Sequence, residues 1–143
     1  MWTRQVKMEY IRNCSEKYSL HDCKIKEFEI KEDKLIMKFD ALFWLHGDET
    51  DNRPFEIEFP EVDFDDCSIY IFDRWLYRGK FKGQAMSLKK FIKKYKSYEL
   101  EILDEGYFGY DKSYFCQYNR KGKAPVNLII KIWNKGDMIY RFN

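Results

Sequence analysis

The chain is 143 residues long, 45% hydrophobic and 19% aromatic, with 26 basic against 24 acidic side chains and a net charge of +2. This length suits one domain, residues 1–143 without a linker, and a chain of this size buries roughly 70% of its unfolded surface, so its core needs no disulfide or metal staple. Such aromatic content excludes disorder, the near-neutral balance argues against a dedicated nucleic-acid domain, and the short apolar runs exclude a transmembrane helix.

In chain order, "MWTRQVKMEY" has charge but no apolar region of a secretory signal, and Cys14, Cys23, Cys67 and Cys116 form no C-x-x-C pair. The expectation is a cytoplasmic protein with reduced, mostly buried thiols. Trp2, Val6, Tyr10 and Cys14 recur every fourth residue, which predicts an N-terminal helix, although Val6, Met8 and Tyr10 would equally suit a strand. From Cys23 the period becomes two. Its parity slips between Ile25 and Phe28, which calls for a bulge or bend. "KEDK" at 31–34 turns this strand into Leu35, Met37 and Phe39, with "ALFWL" extending the second strand of a hairpin.

After the polar loop "HGDETDNRP", Phe55, Ile57 and Phe59 face one way, and Val62 and Phe64 continue a strand with opposite parity beyond Pro60. "SIYIF" is the next strand and "RGKFKG" the next loop. "SLKKFIKKYK" is an amphipathic helix: Leu88, Phe91, Ile92 and Tyr95 share a face, Ser87 stands at the N-cap, and lysines end it. Tyr98, Leu100 and Ile102 then alternate with glutamates, "DEGYFG" and "NRKGKAP" read as turns around a strand at 114–118, and "VNLIIKIW" is apolar on both faces and therefore central. "NKGD" turns the chain into the terminal "MIYRF". The pattern predicts an α+β fold: a mainly antiparallel sheet of about eight strands with the amphipathic helix packed on it, and a second helix at the N-terminus.

Three features invite chemistry. His21-Asp22-Cys23 gathers an imidazole, a carboxylate and a thiol, but a zinc site wants four ligands in close pairs, and Cys14, His21 and Cys23 would supply three. On a regular strand His21 and Cys23 would share a face while Asp22 pointed away, which leaves a nucleophile–base–orienter arrangement incomplete. The structural reading prevails, with Ser19 or Asp22 closing a turn and Cys23 opening the buried face; the catalytic alternative is a small metal-binding or hydrolytic enzyme using His21, Cys23 and nearby carboxylates. His46 stands alone in a polar loop.

Residues 47–73 hold ten carboxylates against one base, Arg53. Glu56, Glu58, Glu61, Asp63, Asp65 and Asp66 are the candidate partner-binding residues, a negative patch able to steer a basic protein, against the plainer reading of a solvated strand face. "DETDNRPFEIEF" lacks the glycine of an EF-hand loop and is broken by proline. Residues 74–96 invert the pattern, with nine bases and no acid; Arg74, Arg78, Lys80 and Lys82, interleaved with aromatics, are candidates for binding phosphate or nucleic acid. No cofactor motif is present.

"LHDCKIKEFEIKEDKLIMKF", residues 20–39, resembles the start of small bacterial proteins with a Leu-His-Asp pattern followed by an isoleucine and a hairpin, some grouped with the immunity proteins of polymorphic toxin systems. The resemblance implies a compact, strand-rich, non-enzymatic domain whose partner is a protein. It joins the charge pattern in one expectation: an immunity protein that neutralises a basic toxin through an acidic surface, without cofactor, metal or membrane.

Overall fold

Strands whose apolar residues fall on every second position can bury one face only, and this chain satisfies that constraint by curling one sheet around its own core. The computed structural model describes residues 8–12, 18–40, 44–45, 53–72, 83–94 and 99–142. They form β1 (Met8–Arg12), β2 (Tyr18–Ser19), β3 (Lys24–Lys31), β4 (Lys34–Phe39), β5 (Trp44–Leu45) and β6 (Phe55–Phe59). A 3-10 turn (Phe64–Asp66) precedes β7 (Ser68–Phe72), β8 (Gly83–Ser87) and helix α1 (Leu88–Lys94). The chain ends with β9 (Glu99–Phe108), β10 (Asp111–Asn119), β11 (Val126–Trp133) and β12 (Met138–Phe142). Ten strands make one antiparallel sheet in the order β1-β12-β6-β4-β3-β9-β10-β11-β7-β8, and β2 pairs separately with β5.

Register places Phe39, Phe55 and Phe142 level across β4, β6 and β12. Their rings stack at 4.6 Å (Phe39–Phe55) and 5.4 Å (Phe55–Phe142). The same face continues through Ile25 and Phe28 to Leu100, Ile102, Tyr114, Cys116, Leu128 and Ile130, all buried in one cluster. Curvature closes it. Phe59 of β6 meets Tyr114 of β10 edge to face at 6.3 Å although three strands stand between them in the sheet. Helix α1 covers the open side, with Phe91 against Phe28 at 6.1 Å and Tyr118 at 5.9 Å. Ser87 Oγ accepts from Lys90 N–H at 3.1 Å and so caps the helix as its sequence predicts.

The parity slip is a register shift between Ile25 and Glu27, and the 31–34 turn is a two-residue hairpin loop with Lys31 opposite Lys34. β11 lies inside the sheet between β10 and β7. Four expectations are corrected. Tyr10 belongs to a strand, β1, whose residues 8–12 pair with β12, so no N-terminal helix passes through them; Trp2, Val6 and Cys14 lie outside the described residues. The alternation of Met8 and Tyr10 wins because β12 offers an edge for pairing, which a four-residue period in isolation does not reveal.

Trp44–Leu45 does not extend β4 but pairs with β2, after a bend at Asp40. Val62 and Phe64 do not continue a strand: Glu61 has φ of 50°, Val62 makes a single bridge to Asn134, and Asp63 starts the 3-10 turn. The first five residues of "DEGYFG" are the end of β9, and the turn comes only at its last residue, Gly109, with φ of 64°. Among the described residues no helix is long and apolar enough to cross a membrane.

Candidate partner-binding surface

Pro60 halts β6, and the chain then bends at Glu61 instead of pairing further. Three backbone bonds hold the bent segment: Val62 N–H to Asp33 O at 2.8 Å, Asp63 N–H to Trp133 O at 3.1 Å, and Lys135 N–H to Glu61 O at 3.1 Å. Asp63 Oδ1 accepts from Asp65 N–H at 3.1 Å, so one carboxylate caps the 3-10 turn. Beneath the turn, Cys67 Sγ lies 3.2 Å from Asp63 O and accepts from Trp133 N–H at 3.4 Å. Burial pushes the Cys67 thiol above its usual pKa, so it stays protonated and structural.

These contacts shape an open groove of about 520 Å³. Asp33, Glu61, Asp63 and Asp65 line it with carboxylates, and Val62, Phe64 and Trp133 form its apolar lining. All four acids are exposed, whereas Phe64 and Trp133 are half-buried. Lys89 Nζ lies 4.9 Å from the Phe64 ring centre, and Lys135 Nζ lies 6.0 Å from that of Trp133. Tyr110 meets the Trp133 ring edge to face at 5.4 Å and is 54% exposed; nearby in sequence, Phe108 is 69% exposed. The arrangement combines negative charge with aromatic surface already holding two ammonium groups, and it is suited to receive more cations.

The six acids singled out from sequence do not form one patch. Glu61, Asp63 and Asp65 line the groove, and Asp66 is exposed on the same turn. Glu56 and Glu58 lie on the outer face of β6 and are buried, at 5% and 9% exposure, so they are not a solvated strand face. Glu58 accepts from Arg141 at 3.0 Å. Arg74, Arg78, Lys80, Lys82 and His46 lie outside the described residues.

His21 and Cys23 do not share a face. Asp22 has φ of 69°, Cys23 N–H bonds back to Leu20 O at 2.9 Å, and Ser19 Oγ accepts from His21 N–H at 3.3 Å. This turn sends the His21 imidazole into solvent 3.1 Å from Asp22, and the thiol of Cys23 into the core. Cys67 and Cys116 are free thiols, and burial also pushes that of Cys116 upward. Among the described residues no group of three or more His, Cys, Asp or Glu is arranged to hold a metal ion.

Sequence reasoning missed Asp33, Phe64, Trp133 and Tyr110 as site residues. Only Phe64 adjoins the acids that were singled out; Asp33 arrives from the β3–β4 turn, Tyr110 from the β9–β10 turn and Trp133 from the end of β11. Comparison with protein-family models, with curated proteins and with solved structures finds no match to this chain.

Proposed function

We propose that this chain is a non-enzymatic, cytoplasmic binding domain that docks a basic protein, in the manner of an immunity protein neutralising a toxin. The observation that carries the reading is the convergence of four carboxylates on the partly exposed Phe64–Trp133 surface. Charged rims steer a basic partner and aromatic anchors supply contact energy once water is excluded. The Leu-His-Asp resemblance supports the same class. Toxins that cut nucleic acid present basic surfaces, which an acidic groove complements.

The test is titration of the chain with basic nuclease-toxin domains, any encoded beside its gene first, at low and raised salt. Micromolar or tighter binding that weakens as salt rises is expected. Replacing Asp33, Asp63 and Asp65 by Asn should cut affinity about tenfold or more and flatten the salt dependence. Unchanged affinity and salt slope in that folded variant would refute the groove as the docking surface.

A further inference from the structure

The outer face of the sheet carries a second concavity, separate from the groove. Glu9, Arg141, Glu56, Lys38 and Glu27 stand level across β1, β12, β6, β4 and β3, a row of alternating charge. Directly opposed residues of opposite sign normally pair. Here both cations pair with other acids than Glu56: Arg141 reaches Glu9 at 3.1 Å and Glu58 at 3.0 Å, while Lys38 lies 3.9 Å from Glu27 and 3.0 Å from Glu29. No hydrogen bond or ion pair joins Glu56 to any described residue, although it is only 5% exposed. Its carboxylate oxygens keep contact with solvent at the concavity, so a donor entering there can reach them.

Glu56 lines a cavity of about 420 Å³, within the size range of small-molecule sites. Glu58, Arg141 and Ile36 line it beside Glu56, and Lys31, Lys34 and Glu32 complete it, so three cations face three carboxylates. The charges are separated along the strands. Lys31 and Lys34 oppose each other at the hairpin end, and Glu56 is level with Lys38, four residues further along β4 or about 13 Å by strand rise. Lys31 is engaged by Glu29 at 3.1 Å, whereas no ion pair joins Lys34 to another described residue.

We propose that this cavity binds a small dipolar solute, an amino acid with a basic side chain, whose guanidinium or ammonium donates to Glu56 and whose carboxylate lies by Lys31 and Lys34. The polarity of the lining selects this class. A simple dianion meets Glu56 and Glu58, a simple diamine meets Lys31, Lys34 and Arg141, and a sugar finds no aromatic ring to stack on. Glycine is too short to reach both charged ends, whereas an extended arginine, roughly 8 Å between its ends, bridges them once the lysine side chains cover the rest of the backbone span.

Isothermal titration of the full chain with L-arginine, glutarate and 1,5-diaminopentane at equal ionic strength tests the site. Saturable millimolar binding of L-arginine is expected, with the other two at least about tenfold weaker because each satisfies one end only. Glu56→Gln and Lys34→Met should each weaken L-arginine binding about tenfold. Lys34 is exposed and outside the core, so its variant decides the matter if Glu56→Gln fails to fold. Absence of saturable binding, equal binding of 1,5-diaminopentane, or affinity unaltered by Lys34→Met would each overturn the proposal. None of these results bears on the groove, whose carboxylates are different residues.

Discussion

Asn134 is fully buried, and its amide nitrogen donates to the carbonyls of Pro60, Lys135 and Gly136 at 3.0, 3.1 and 3.3 Å. Those bonds join the end of β11 to the start of the groove segment. Asn134→Ala removes the buried amide that ties these three carbonyls together, and a loss of about 1–2 kcal/mol is expected in urea unfolding. Sequence showed Asn134 only as part of a polar turn, because its burial comes from a segment more than seventy residues earlier in the chain. Glu29 makes the corresponding argument for charge. Burial raises its pKa, but bonds from Lys38 and Lys31 outweigh this and hold it below the ordinary 4.5.

A carboxylate depressed in the folded state contributes stability that is present above its unfolded pKa and lost as pH falls through the lower folded value. Unfolding free energy should therefore decline from about pH 4.5 downward, and Glu29→Gln should make that decline shallower. Equal slopes in urea melts of the two proteins between about pH 5 and about pH 3 would contradict the assignment. Glu99 is also depressed, through bonds from Lys24 and Asn119, but its side chain is 44% exposed and solvent screens most of the effect.

At the scale of elements, α1 is only seven residues long, too short to be stable alone, and persists because Leu88 and Phe91 close the core. Its cap then matters: Ser87→Ala should cost about 1 kcal/mol, read as a lowered urea midpoint with unchanged slope. This helix, the 31–34 hairpin, the bulge after Ile25 and the interior position of β11 were legible because local period and turn chemistry agreed. The N-terminal segment was not, since Tyr10 fits both a four-residue and a two-residue period and only pairing with Tyr140 decides between them. "DEGYFG" misled for a related reason. Its glycine and acid suggest a turn, yet Glu105 accepts from the Tyr107 hydroxyl and from Leu20 N–H, both at 2.6 Å, which satisfies the carboxylate inside the fold.

For the whole molecule, the face periodicity of each strand was readable, but the strand order was not. Nothing local to Met8 announces that its partner is Phe142, or that β12 stands between β1 and β6. That order predicts where the fold opens first. β10 and β11 are paired on both sides and pack Tyr114, Cys116, Leu128 and Ile130 into the core, so their amides should exchange only through global unfolding. β8 closes one end of the sheet, and four of its five residues are exposed, so its amides should exchange by local opening at much lower cost. β1 closes the other end and, among the described residues, pairs only with β12, which carries Tyr140 and Phe142 in the core. Tyr140→Ala should cost about 3–5 kcal/mol and raise exchange in β1 and β6 together with β12, while β10 and β11 keep the slowest amides in the molecule. Hydrogen-exchange mass spectrometry of both proteins in mild denaturant reads this directly. If β1 stayed protected while β12 exchanged, the central position of β12 between β1 and β6 would be wrong.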